Sequence, residues 1–134
     1  MSLFIGPVYP TAKPALAAAV AILTPVFAPV LVSARMPLVR PAQFVRVDRV
    51  GGRMSNMITD SARILVECWA PDVPTAETMC NTARAALLNA FGKTWAGVFV
   101  REWADEQGPV SFDDPAVTDQ RRWQFHGDLR CSTT

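Results

Sequence analysis

The stretch of sequence that decides the fold is F-V-R-V-D-R-V-G-G-R-M-S-N, residues 44–56, followed by A-R-I-L-V-E-C-W, residues 62–69. Residues 44–50 and 62–69 are rich in β-branched residues, and apolar and polar side chains alternate along both runs, which is typical of half-buried strands. Gly51 and Gly52 lie between the runs and supply turn residues. The pattern therefore predicts a long antiparallel hairpin whose polar loop, residues 51–60, is mobile and available to a partner.

Helical and strand patterns on either side of the hairpin complete the order α-β-β-β-α-β-β. These elements are a helix over residues 11–23, a strand over 30–36, a helix from the Asp72 cap to a stop at Gly92, and strands over 98–103 and 122–131. This order predicts the α+β class. We expect a mostly antiparallel sheet of about five strands with two helices packed on one face.

The second helix has the clearest periodicity in the chain. Asp72 is a predicted N-cap, and Pro74 suits the first turn. Apolar residues then recur at helical spacing: Ala76, Met79, Cys80, Ala83, Leu87 and Ala90. We expect this face to be buried against the sheet.

The composition is that of a folded and nearly neutral chain. Half of the 134 residues are hydrophobic and four are Trp, which is too apolar for a disordered protein. Thirteen Lys and Arg residues against twelve Asp and Glu leave no overall field to attract nucleic acid or a membrane surface. We expect a single domain over residues 1–134, with residues 1–10 as an extended N-terminal arm.

One uncharged run, residues 14–34, is long enough to raise the question of a membrane span. Pro25 and Pro29 interrupt it, and each removes a helical hydrogen-bond donor. The run is also rich in alanine, which favours insertion less than leucine or isoleucine does. We therefore expect a buried helix running into a strand, and no membrane contact.

Residues able to do chemistry are few. Cys68, Cys80 and Cys131 are odd in number and lack C-x-x-C spacing, which favours reduced thiols over a disulfide framework. The single histidine, His126, alternates with Phe125 and is expected on the polar face of the last strand, whereas the thiols lie on apolar faces. The sequence therefore predicts no catalytic site, no metal site and no cofactor.

Two sets of charged residues are candidates for contacts between molecules. Arginines cluster around the first three predicted strands: Arg35, Arg40, Arg46, Arg49, Arg53 and Arg63. Three interpretations remain open: the arginines lie on solvated strand faces, they contact nucleic acid, or they belong to a subunit interface. Acids concentrate in a predicted loop over residues 105–121: Asp105, Glu106, Asp113, Asp114 and Asp119. The D-x-[DN]-x-[DN]-G spacing of a calcium loop is absent, so the acids are solvated charges or contacts to a neighbouring copy.

These patterns define one candidate assembly interface. Its residues are Arg46, Arg49, Gly51, Gly52, Arg53, Arg63, Asp105, Glu106, Asp113 and Asp114. Gly51 and Gly52 belong to it as turn residues, because the G-x-x-x-x-G-K-[ST] spacing of a phosphate loop is absent. We expect the acidic loop and the arginines to lie far apart on one subunit and to pair between copies.

The order of several motifs resembles a known family. The motifs are V-S-A-R-M-P at residues 32–37, F-V-R-V-D-R-V-G-G-R at 44–53, V-E-C-W-A-P at 66–71, an alanine-rich helix, Gly108-Pro109, Asp113-Asp114-Pro115 and an Arg-bearing final strand. Together they resemble the tail terminator (tail-completion, head–tail joining) proteins of long-tailed bacteriophages, in the form seen in phages of actinobacteria. The apolar arm and the proline-interrupted first helix depart from that family.

The resemblance implies a non-enzymatic virion protein at the head–tail interface, assembled in the host cytoplasm. Such proteins form a hexameric ring that caps the tail tube, ends its polymerisation and presents a surface to head-completion proteins. Genome DNA passes through the lumen without sequence-specific binding. The alternatives are another head–tail connector or minor tail subunit, and a small cytoplasmic enzyme or ligand-binding domain, which would need a concave pocket with convergent polar groups.

Overall fold

A computed structural model describes residues 11–134, and the predicted arm over residues 1–10 lies outside this part of the chain. The elements are α1 (Ala15–Phe27), β1 (Leu31–Ser33), β2 (Phe44–Asn56), β3 (Thr59–Ala70), α2 (Val73–Leu88), β4 (Lys93–Trp95), β5 (Val98–Ser111) and β6 (Arg121–Ser132). The class is α+β, with two helices as expected. The described sheet has six strands instead of about five, and β4 is the strand that the sequence patterns did not predict.

The sheet order is β1-β2-β3-β6-β5-β4. Every neighbouring pair is antiparallel except β1 and β2, which are parallel, so the sheet is mixed. β3 and β6 form its centre and pair along their whole lengths, from Thr59 with Ser132 to Ala70 with Arg121. β1 is much shorter than the predicted strand over residues 30–36.

The predicted mobile loop over residues 51–60 is wrong. β2 continues to Asn56 and β3 begins at Thr59, so only two residues form the turn. Gly51 and Gly52 lie inside β2 at a register shift, with φ of 119° and 104°, and therefore form a bulge instead of the turn. The end of the hairpin is tied to the C-terminus, because Thr133 donates hydrogen bonds to the carbonyl oxygens of Ile58 and Met57.

The predicted acidic loop over residues 105–121 is also wrong in extent. β5 runs to Ser111, which places Asp105 and Glu106 in a paired strand and leaves only Asp113, Asp114 and Asp119 in the connection. Three register irregularities along β5 absorb the residues, Gly108 and Pro109 among them, that look like loop formers in the sequence.

α2 begins where the sequence places it, whereas α1 lies four residues later than predicted, at Ala15–Phe27 instead of residues 11–23. The Asp72 carboxylate accepts a hydrogen bond from the Thr75 backbone N–H at 2.9 Å and caps α2, and the predicted face of α2 is buried. α2 ends at Leu88, before Gly92. α1 extends beyond the predicted end at Leu23 because Pro25 lies in its last turn, where the missing N–H removes one hydrogen bond without breaking the helix.

One hydrophobic core joins both helices to the same face of the sheet. It contains the buried side chains of α1 and α2 together with alternate residues of β2, β3 and β6, such as Val45, Val66 and Phe125. The other face of the sheet, the open face, carries the remaining side chains of these strands. This face and the two sheet edges hold the candidate interface residues.

Candidate assembly surface

An aromatic stack covers one end of the open face. Phe44 and Trp69 are cross-strand partners whose rings stack at 5.3 Å between centroids. The guanidinium of Arg122 lies 5.2 Å from the Trp69 ring centroid and 5.0 Å from that of Phe112. Trp69 is fully buried by these neighbours although no described helix covers it. Cation–π and stacking contacts therefore stabilise this end.

Ion pairs occupy much of the rest of the open face. Glu67 is buried and receives Arg46 at 3.3 Å and Arg122 at 4.0 Å. Nearer the β2–β3 turn, Arg63 binds Asp128 at 3.0 Å and Glu106 at 3.6 Å, and its pKa is raised mainly by the hydrogen bond to Asp128. A shallow pocket lies over this second group, lined by Arg53, Arg63 and Glu106 among others.

The structure divides the candidate interface residues among four places. Arg46, Arg49, Gly51, Gly52 and Arg53 lie on β2, next to one sheet edge; Asp105 and Glu106 lie on β5, near the other edge; Arg63 lies on the central strand β3, and Asp113 and Asp114 lie in the β5–β6 connection. Gly52, Arg53, Arg63 and Glu106 line one pocket, but the structure does not bring the whole set into one surface.

The expectation that the acids of residues 105–119 and the strand arginines lie far apart on one subunit is wrong for Arg63, whereas Arg46 and Arg49 pair with acids outside that set. Arg63 contacts Glu106 within the same chain, and Arg49 binds the buried carboxylate of Asp60 at 3.1 Å. Asp113 similarly lies 3.5 Å from Arg121. The sequence missed these pairs because they depend on which strands become neighbours. Arg53 forms no ion pair with any residue in the described part of the chain.

Exposed apolar side chains mark both ends of the sheet, and the sequence patterns did not single them out. At the hairpin end, around the β2–β3 turn, Met57 is 85% exposed, with Met54 and Ile58 beside it. At the opposite end, Leu38 is fully exposed and Val39 nearly so. The sequence did contain a signal for Leu38 and Val39. Apolar residues between Pro37 and Pro41 do not fit a helix or a central strand, so their exposure could have been predicted. Such residues are typical of contact surfaces.

The described residues that could do chemistry do not converge. Cys68 and Cys131 belong to the helix-side core, whereas His126 is half-buried on the open face. Burial raises the pKa of Cys131 to about 11, and a hydrogen bond to Cys80 together with burial raises that of Cys68. These thiols are therefore protonated and poor nucleophiles at neutral pH.

Two further properties of residues 11–134 concern the binding of a metal ion and the crossing of a membrane. No group of three or more His, Cys, Asp or Glu side chains there is arranged to hold a metal ion. No helix in this part of the chain combines the length and apolar character that crossing a membrane requires.

Asp105 is the acid of the candidate interface that is held most firmly within its own chain. It accepts hydrogen bonds from Arg84 Nε at 2.8 Å and from Trp103 Nε1 at 2.7 Å. Its pKa is lowered, chiefly by Arg84. This contact links α2 to β5.

Replacing Asp105 with Asn is expected to lower the free energy of unfolding at pH 7 by about 1 kcal/mol or less, because solvent screens the partly exposed pair. The pKa of Asp105 is depressed in the fold, so its contribution is present above the unfolded value of about 4 and is lost as the pH falls through the lower folded value. Urea unfolding at pH 7 and near pH 3 should show the difference shrinking. Glu102→Gln, at a more exposed pair, is the control, and an Asp105→Asn deficit that persists in acid would contradict the assignment.

Comparison with known proteins adds a likeness of fold. No protein-family model and no curated protein matches the sequence. Among solved structures, a chain from the virion of a native gene transfer agent particle superposes with a TM-score of 0.57. The match covers 84% of this chain and 85% of that one at 13% sequence identity. At this identity the likeness shows a shared fold.

Proposed function

We propose that this chain is a non-enzymatic structural protein of a phage-like virion. We further propose that it forms a ring, most simply a hexamer, that caps the tail tube, ends its polymerisation and offers a surface to the head-completion protein. The observation that carries the proposal is the match of fold, over most of both chains, to a component of a gene transfer agent virion. The motif order that resembles tail terminators supports this proposed position in the particle.

The exposed apolar residues support a part that joins two others. A capping ring contacts the tube on one side and the head-completion protein on the other, so each subunit needs two contact surfaces. The hairpin end, with Met57 and Ile58, and the opposite end, with Leu38 and Val39, are separated by the length of the central strands. Solvent exposure of such side chains in a free subunit is reduced when both partners bind.

The charge of the chain suits a ring around a DNA channel. Most described charges are neutralised within the chain, as in the pairs of Arg63 with Asp128 and Arg84 with Asp105. A lumen lined by such pairs releases few counterions from DNA and therefore holds it weakly. DNA can then pass without being bound.

Deletion of the gene from the genome that encodes this chain tests the proposal. We expect tubes of irregular and excessive length together with filled heads that carry no tails, and we expect a plasmid copy to restore normal particles. Electron microscopy of lysates supplies the measurement. Tubes of normal length without heads would favour a neighbouring connector role, and normal infectious particles would contradict both.

A further inference from the structure

Both edges of the sheet are only partly paired within residues 11–134. β1 pairs with β2 at Phe44, Val45 and Arg46, which leaves the outer edge of β2 open from Val47 to Asn56. β4 pairs with β5 at residues 98–100, which leaves the outer edge of β5 open over residues 101–111. The unpaired N–H and C=O groups of an edge strand can pair with another chain.

The two open edges lie on opposite sides of the sheet and at the same height, meaning the same position along the strand direction. Arg53 is opposite Ser61, Ser61 is opposite Arg130, and Arg130 is opposite Glu102. By the same steps across β3 and β6, Asp48 lies at the height of Gln107. The open parts of β2 and β5 therefore overlap, and neighbouring copies need no large shift along the strands to align them.

Strand direction also suits a contact between copies. β2 is antiparallel to β3, β3 to β6, and β6 to β5, so β2 and β5 run in opposite directions. When copies stand side by side around an axis roughly parallel to the strands, β2 of one copy therefore meets β5 of the next in the antiparallel sense. Because the two edges are different surfaces, the contact repeats head to tail and can close a ring.

The residues of the two edges differ in the sign of their charge, although Arg49, Glu102, Asp105 and Glu106 also form ion pairs within their own chain. The open part of β2 carries Arg49, Arg53 and one acid, whereas that of β5 carries Glu102, Asp105, Glu106 and one arginine. Opposite charges at such a contact favour the correct partner and register more than they add affinity. Arg53 forms no ion pair within the described residues and can therefore meet Glu102 of the neighbouring copy, which already binds Arg130 of its own chain.

Bulges restrict which strands can use these edges. The shift between Arg49 and Gly52 bends β2, and the shifts from Val100 to Glu102 and from Asp105 to Gln107 bend β5. Bulged edges resist pairing with flat, unrelated strands. Two edges that are both bent can still pair with each other over a short length, while the bulges continue to prevent pairing with unrelated flat strands.

We propose that the open edge of β2 in one copy pairs antiparallel with the open edge of β5 in the next, so that the sheet continues from subunit to subunit around the ring. This inference rests on the proposed ring and specifies how its subunits join. The candidate residues on β2 and β5 then meet across the contact between copies.

Disulfide cross-linking tests the pairing, because the native thiols Cys68, Cys80 and Cys131 are fully buried and leave engineered surface cysteines as the reactive ones. Each test variant carries two engineered cysteines. One is on β2, at Val50, Arg53 or Ser55, and the other is on β5, at Glu102, Ala104 or Glu106. Purified variants are oxidised mildly, alone and with isolated tail tubes, and denaturing gels are run beside negative-stain images. The control combines Arg53→Cys with Glu77→Cys, since Glu77 is exposed on α2.

The expected result is a ladder of covalent oligomers that ends at the ring number. The effective pairs should follow the antiparallel order, with Arg53→Cys linking to Glu102→Cys and Val50→Cys linking to Ala104→Cys, while the control pair gives no ladder. Rings that form without any link between β2 and β5 would overturn the edge pairing and leave the ring function in place. Absence of rings at every concentration and on tube ends would overturn the ring, and the pairing with it.

Discussion

Leu87→Asp is expected to abolish cooperative folding. Leu87 is fully buried on the α2 face that packs against the sheet, so the substitution places an unpaired carboxylate in the apolar core. The cost is several kcal/mol, comparable with the roughly 5–15 kcal/mol that stabilises a whole domain. Circular dichroism melts and urea titrations provide the measurement.

The next residue supplies a matched control. Leu88 is 44% exposed at the end of the same helix. Leu88→Asp introduces the same charge near the same helix terminus, and we expect it to change the free energy of unfolding by about 1 kcal/mol or less. The difference between the variants therefore isolates burial. A Leu87→Asp protein that melts cooperatively at the temperature of Leu88→Asp would show that the helix face is assigned wrongly.

Gly52→Ala is expected to produce the second largest loss. Gly52 has φ of 104°, and a Cβ atom there would collide with the Ser61 carbonyl oxygen and lie 2.7 Å from the Arg63 backbone nitrogen. Both are backbone atoms of the paired strand β3, which can yield only by disturbing the hairpin. We expect the melting temperature to fall by about 10 °C or more relative to Gly51→Ala.

Gly51→Ala is the appropriate comparison because it shares the backbone strain without the collision. Gly51 has φ of 119°, and a Cβ atom added there would meet no heavy atom within 4 Å beyond its chain neighbours. Each variant therefore carries the cost of positive φ, about 1–3 kcal/mol, and only Gly52→Ala adds the steric clash. Equal melting temperatures for the two variants would contradict the close approach of β2 and β3 at this bulge.

Local patterns in the sequence were sufficient for some elements. The buried face of α2 follows from the spacing of residues such as Cys80 and Leu87, and its start follows from the Asp72 cap. The alternation of Phe125 with His126 correctly predicted that they lie on opposite faces of the last strand. These features depend on residues within one or two turns of helix or a few positions of strand, which is why the sequence alone determines them.

The ion-pair partners of the candidate interface residues could not be predicted from the sequence, for a physical reason. The charged residues are recognisable in the sequence, but their partners are set by strand register: Arg49 meets Asp60 and Arg63 meets Glu106 only because β2, β3, β6 and β5 lie side by side in that order. Residues far apart in the chain thereby become neighbours, and no local spacing records this.

Tertiary structure alone decided the lengths of β2, β3 and β5. Polar and glycine-rich stretches, such as residues 51–56 and Gly108-Pro109, have low strand propensity and look like loops in the sequence. They become strand because a neighbouring strand supplies hydrogen-bond partners, and bulges absorb the residues that do not fit the register. The sequence determined which residues are apolar or polar and with what period, whereas the pairing of distant strands decided where each strand ends and which edges stay open.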